Sequence, residues 1–308
     1  MLSLRKPKLH PGWVAIAPGR DSVRVAFVVC AEGQRPALRW VCTEPWGDPT
    51  QSLRSLRRAR PVQRQRTVAV LQRAQYQLLA IEAPEVPREE WRDALRWRLK
   101  DMVEFPVDNA GIDLLELPAA PTQRRTPSLI AVAAPHSALS PLVDAGVDAG
   151  LPWHAIDVTE TALRNIAALT EEPGRGQALL HVGDTHSTLV VTWQGELLLA
   201  RHLDVALEQL LDSDESMRQQ TYERASLELQ RTLDSVERQF SHVSLARVLV
   251  TPGAPLAEFI RYVSDLVYVP VAPFELANWV DLSAVPELAD PTAQAAYLPA
   301  IGAALRAA

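Results

Sequence analysis

The sequence predicts an α/β protein of two lobes, the second built on the plan of the first. The 308 residues are more than one hydrophobic core usually spans. Strand-like and helix-like stretches alternate from end to end. A strand, tight turn and strand occur at about residue 13 and again at about 178, with no repeat of solenoid period.

Each element has its own signal. "WVAIAPGRDSVRVAFVVCA" reads as two strands joined at Pro18-Gly19, with Val23, Val25 and Phe27 alternating in the second. "ALRWVCTEPW" is a third strand, and "TVAVLQRAQYQLLAIEAP" gives two more, ended by Pro84. "PREEWRDALRWRLKDMVEFP" is the clearest helix. Pro87 stands in its first turn, Glu89 and Glu90 complement the N-terminal dipole, and Pro106 stops it. Trp91, Leu95, Leu99 and Met102 form one stripe expected to be buried. Trp97 lies off that stripe, either packed on a neighbouring element or kept for a partner.

"AGIDLLELP" and "SLIAVAAP" are strands around a polar tip, "AAPTQRRTP", and "HSALSPLVDAGVDAGL" is a helix with Gly150 as its C-cap. "TETALRNIAALT" is a helix opened by Thr159. The hairpin "ALLHVGDTHSTLVVTWQGELLLARHLDV" follows, then a helical stretch over 206–240. "LARVLVTPGAPLAEFIRYVSDLVYVPVAPF" is strand, Gly/Pro turn, helix and strand, and "YLPAIGAALRAA" is a terminal helix. The expected division is a first-lobe core over 1–84, an inserted α+β subdomain over 85–155, and a second lobe over 156–308. The helix at 295–307 is expected to return to the first lobe.

Composition narrows the function. Hydrophobic content of 47% with 22% charged residues is that of a globular chain. Two cysteines, Cys30 and Cys42, make no disulfide framework and fit a reducing cytoplasm. No apolar run approaches the roughly 18 residues of a spanning helix, and the basic start "MLSLRKPKLHPGW" has no apolar core of a signal peptide. The net charge of −6 is uneven: residues 1–128 carry +7 and residues 129–308 carry −13. The basic run "RSLRRARPVQRQR" at 54–66 suits a solvated face or a contact with an anionic membrane surface. Nucleic acid is not expected, because no aromatics interleave with that run and no binding motif is present.

The repeated hairpin start, with "VLVTPGA" near the end, resembles the layout of the actin-like ATPase fold. Within that fold the chain is similar to the PilM-like family of pilus assembly proteins. "ALRWRLKDMVEFPVDNAGIDLLELP" resembles the family's inserted subdomain, "AIDVTETALRNIAAL" the entry to the second lobe, "SLELQRTLDSVERQF" its long helix and "YLPAIGAALR" its closing helix. The likeness spans nearly the whole chain. It implies a cytoplasmic protein at the inner face of the inner membrane, bound to a PilN-like bitopic partner of the pilus assembly platform. The partner's N-terminal peptide would dock near the inserted subdomain, against Trp91, Trp97, Ile112 and Leu114. The GspL family of secretion proteins has a similar cytoplasmic region and supplies an alternative.

An actin-like ATPase grips the β- and γ-phosphates with backbone N–H groups of two hairpins and holds Mg²⁺ through carboxylates. The family frame is apolar-Asp-apolar-Gly followed by small residues. In the first hairpin it falls on Ile16, Ala17, Pro18 and Gly19, with Ser22 next; Ala17 takes the Asp position and Pro18 has no N–H to donate. In the second it falls on Leu180, His181, Val182 and Gly183, with Thr185 next; His181 takes the Asp position. Asp184 would set a charge beside incoming phosphates, which at 4 Å costs ~1 kcal/mol in water and more in a shielded cleft. The adenosine-side loop, Thr251-Pro252-Gly253-Ala254, keeps one glycine of the family's pair or triple. Gly19, Ser22, Gly183, Thr185 and Gly253 thus mark a degenerate nucleotide site. The expectation is an adaptor without ATPase activity, with no metal and no cofactor; the alternative is a working ATPase whose ATP and Mg²⁺ gate the partner.

Overall fold

The computed structural model describes residues 10–19, 21–118 and 127–306. Two five-stranded sheets share one topology. The first has the order β3-β2-β1-β4-β8 and uses β1 (Trp13–Pro18), β2 (Ser22–Val29), β3 (Ala37–Pro45), β4 (Arg66–Val70) and β8 (Ala155–Asp157). The second has the order β11-β10-β9-β12-β13. Its strands are β9 (Gly176–Val182), β10 (Ser187–Trp193), β11 (Glu196–Leu203), β12 (Leu245–Thr251) and β13 (Val271–Pro273). In each, three sequential antiparallel strands continue into two parallel ones. A parallel neighbour needs a crossover connection, so both lobes change from hairpins to helical crossovers at the same strand.

The helices complete the duplication. α1 (Pro49–Ala59) and α3 (His136–Asp148) cover the outer face of the first sheet, burying Leu53, Leu56, Ala145 and Ala149 against Val14, Ile16, Val23 and Val25. The short α5 (Leu207–Leu210), α6 (Glu215–Gln239) and α7 (Ala257–Ser264) lie on the second lobe, where Leu229, Leu233, Phe259 and Val263 pack on Leu180, Leu189 and Val250. α6 starts where the Asp214 carboxylate accepts from the N–H groups of Ser216 and Met217. Between the sheets lie α4 (Thr159–Ala168) and α8 (Pro291–Ala304), and they exchange places. α4 follows the first sheet but packs on β9, β10 and β11; α8 follows the second but packs on β1, β2 and β4. The two helices touch so closely that a Cβ on Gly302 would stand 2.1 Å from the Ala162 carbonyl oxygen. The largest apolar cluster joins both lobes here, through Val28, Leu163, Ile166, Leu179, Leu298 and Ile301.

A third sheet, β5-β7-β6, is antiparallel throughout and made of β5 (Gln77–Glu82), β6 (Ala110–Glu116) and β7 (Ser128–Pro135). Its face is covered by α2 (Trp91–Leu99), which buries Leu95 and Leu99 on Ile81, Leu129 and Ala131. The sequence division at 84/85 therefore splits this unit: β5 belongs to the inserted sheet, not to the first-lobe core. At the other end α3 and β8 belong to the first lobe rather than to the insert. The polar hairpin tip at 119–127 lies, but for its last residue, outside the described residues.

α2 is also shorter than the 87–106 pattern suggests. A 3-10 turn (Arg88–Glu90) precedes it and turns follow Leu99, so Met102 leaves the stripe and is exposed. The turn at Gly150 is as expected: its φ of +68° suits glycine, and a Cβ there would collide with the Arg57 guanidinium at 2.5 Å. α1 was not expected at all. Asp48 caps its start, accepting from the Gln51 N–H at 3.1 Å, and Pro49 occupies the first turn. No helix among the described residues is long and apolar enough to cross a membrane.

Candidate functional site

The two hairpins face each other across a cleft of about 730 Å³ between the lobes. β1–β2 brings Ala17, Gly19 and Ser22 to one wall; β9–β10 brings His181, Gly183 and Thr185 to the other. Four of the five residues expected on the nucleotide side therefore meet. Gly253 does not line the cleft; it is buried, and a Cβ on it would stand 2.6 Å from Pro273 Cβ. Its glycine serves the close approach of the end of β13.

The hairpin tips are engaged with protein. The Gly19 N–H donates to the Ser22 carbonyl at 2.7 Å and the Gly183 N–H to the His186 carbonyl at 3.1 Å, closing each turn on itself. The Gln72 side-chain amide donates to the Gly19 carbonyl. Across the cleft, Arg24 on β2 donates to the Asp184 carboxylate on the second turn at 2.9 Å, an ion pair between residues 160 positions apart. The carboxylate that would meet a phosphate is thus already paired with the opposite lobe.

His181 is held differently. It is buried, and its Nε2–H donates to the Ala295 carbonyl on α8 at 2.9 Å. Burial pushes the imidazole down to about 4, against a smaller upward pull from that hydrogen bond. The side chain at the second Asp position is therefore neutral at pH 7 and committed to the helix that crosses into the first lobe. Ala17, at the first Asp position, has no polar atom to offer.

A second polar cluster sits beside the cleft. Glu160, in the first turn of α4, is fully buried. Its carboxylate accepts from the Tyr76 hydroxyl and from His202 Nε2–H, both at 2.6 Å. Burial and the Glu160 charge hold the Tyr76 hydroxyl well above its usual range, so it stays a donor. His186, whose ring stacks edge-on to His202 at 5.7 Å, is lowered by burial first and by His202 and Arg73 next. Tyr76 belongs to the stretch leading into the inserted sheet, Glu160 to the inter-lobe helix and His202 to the second sheet, so one carboxylate ties three units. Asp157, also buried, pairs with Arg306 at 2.6 Å and ties the chain's end to β8. The sequence reading assigned none of these roles: Glu160 looks like an ordinary acid in a first helical turn, and its partners come from segments 84 and 42 residues away.

On the inserted subdomain the four expected partner residues separate. Trp91, Ile112 and Leu114 pack partly buried on the cluster around Leu95. Trp97 is on the other side of α2, 77% exposed, with Lys100 Nζ 5.8 Å from its ring centroid. Among the described residues β6 pairs only with β7, so its far side is a sheet edge.

The duplicated sheets, exchanged helices and inter-lobe cleft define the actin-like bilobal fold. No protein-family model matches the chain, and no curated protein matches it in sequence. Among solved structures it is similar to a chain of the PilM-PilN type IV pilus biogenesis complex, with TM-score 0.72 and 20% identity over 96% of this chain and 98% of that one. Two further matches are looser. A Bacteroides thetaiotaomicron protein of actin-like ATPase fold gives TM-score 0.49 and 9% identity over 88% of this chain and 93% of its own. The cytoplasmic domain of EpsL, from the type II secretion system of Vibrio cholerae, gives 0.43 and 14% over 66% and 75%.

Proposed function

We propose that the chain is a PilM-like adaptor of type IV pilus biogenesis, of the MSHA type served by MshI, that holds the cytoplasmic tail of a PilN-like inner-membrane protein and does not hydrolyse ATP. The adaptor part is supported by the end-to-end match to a chain of a PilM-PilN complex. The observation that carries the non-ATPase part is that neither Asp position holds a carboxylate; the Arg24–Asp184 pair adds a weak link between the hairpins. With Ala17 and a neutral, helix-bound His181 at the Asp positions, the donor set does not fit a magnesium ion held beside phosphates. The body then serves to place surfaces rather than to run a reaction, at the inner face of the inner membrane.

The seat for the partner peptide is an edge strand, β6, with Ile112 and Leu114 on it and Trp91 beside them, and with Trp97 standing clear of the core. A pull-down with a PilN-like cytoplasmic tail tests this. Trp97→Ala is expected to weaken capture at least several-fold while leaving the unfolding midpoint unchanged; undiminished capture by that variant removes Trp97 from the interface.

One observation favours the opposing ATPase reading: the cleft keeps its volume, and Gly19, Ser22, Gly183 and Thr185 still line it. If nucleotide gates the partner, magnesium-ATP must change capture of the tail. On the adaptor reading it leaves capture unchanged.

A further inference from the structure

The sequence between Asp48 and Glu82 contains seven arginines and no acidic residue. The structure shows where six of them, from Arg54 to Arg66, are placed. α1 carries Arg54, Arg57 and Arg58, and Arg60, Arg64 and Arg66 follow along the turn that leads to β4. Some of these side chains have work inside the lobe. Arg54 and Arg57 donate to the carbonyls of Asp148 and Ala149 at the end of α3, Arg60 lies over the Trp40 ring and Arg66 over the Trp13 ring. Those contacts hold the arginines in place without neutralising them. Among the described residues none of the six forms an ion pair.

Seven arginines elsewhere do the opposite. Arg24, Arg88, Arg92, Arg164, Arg175, Arg231 and Arg306 each stand within ion-pair distance of a carboxylate. Surface pairs of this kind are worth little individually, but they cancel charge locally. Leaving six neighbouring guanidinium groups uncancelled creates a positive field that costs self-repulsion and is relieved by an external anion. Guanidinium groups suit this role because they are weakly hydrated and always charged.

We propose that this face of the first lobe, centred on α1 and the turn through Arg64, docks on an anionic lipid surface. Two features favour lipid over an acidic protein or a nucleic acid. The charges are spread over a helix, a turn and a strand start rather than gathered into one fork, as a diffuse layer of headgroups requires. In addition, the neighbouring helix α3 exposes Val143 and Val147, one turn apart, at 40% and 62%. Apolar side chains beside basic ones are rewarded at a headgroup–acyl boundary and not by a phosphodiester backbone. Asp144 and Asp148 also lie on α3, so that helix brings apolar side chains rather than positive charge to the contact.

Flotation of the full chain with phosphatidylcholine vesicles, with and without phosphatidylglycerol, tests the proposal. Arg58 and Arg64 are the residues to change, being exposed and without a side-chain role in the lobe. Binding is expected only to the anionic vesicles, to vanish at high salt, and to fall on the order of 30-fold in the Arg58→Ala/Arg64→Ala double variant. Arg58→Lys/Arg64→Lys should keep nearly all of it, since a headgroup layer reads charge rather than fork geometry. Equal binding to neutral vesicles, or no loss in the alanine variant, overturns the proposal. So does flotation of neither kind accompanied by salt-sensitive self-association or nucleic-acid binding that the same double variant abolishes. None of these outcomes touches the capture of a PilN-like tail, which is read by Trp97 on α2 of the inserted unit.

Discussion

The two lobes share strand order and helix placement but close their half of the cleft by different means. The first-lobe hairpin offers Ala17 and Pro18 where the chemistry would need a carboxylate and an N–H. The second-lobe hairpin offers His181, which has been absorbed into packing through Ala295 on α8. An apolar residue in one lobe and a packed histidine in the other are two ways of filling the same fold position without a carboxylate. What remains under demand is the joint between lobes, where α4 and α8 cross and Glu160 and Asp157 are buried.

The largest expected effect lies at that joint. Gly302→Ala forces a Cβ to 2.1 Å from the Ala162 carbonyl unless the helices part, and overpacking of this kind costs about 3 kcal/mol. Urea denaturation should show it as a lowered midpoint; an unchanged midpoint would mean that the lobes are not locked at this crossing. Glu160→Ala comes next. It strands the buried Tyr76 hydroxyl and His202 and should cost about 2–3 kcal/mol by the same measurement.

The contrast between the hairpins sharpens with pH. His181 titrates at its ordinary value of 6.5 when unfolded and near 4 when folded, so the unfolded chain binds the extra proton between those values. Its contribution is complete above pH 6.5 and is lost as pH falls toward 4, up to about 3 kcal/mol. Thermal melts of His181→Gln should lose that part of the acid slope, whereas Ala17→Ser in the other hairpin should keep it. The smallest effect belongs to the pair across the cleft. With side chains 28% and 61% exposed, Arg24 and Asp184 are screened, and Asp184→Ala should change stability by less than about 1 kcal/mol.

Much of the architecture was legible in local pattern. The Pro18-Gly19 turn, the Gly150 cap, the Thr159 start of α4 and the apolar Ala178-Leu179-Leu180 of β9 each carry their signal within a few residues. β5 was misassigned because its partner, β7, is about 50 residues on, and nothing local distinguishes an edge of one sheet from an edge of another. α1 escaped because its buried face is only Ser52, Leu53 and Leu56 among arginines. Within the site, the frame positions Ala17 and His181 were readable as departures from a motif. Arg24–Asp184 and Tyr76–Glu160–His202 were not, since each joins residues that only the folded chain brings together.

The reading of the cleft stands or falls on whether it takes a nucleotide. Calorimetric titration of the purified full chain with magnesium-ATP measures this directly. The closed hairpins predict no saturable heat, and Asp184→Ala should not create any. Stoichiometric, magnesium-dependent binding in the micromolar range would contradict the account.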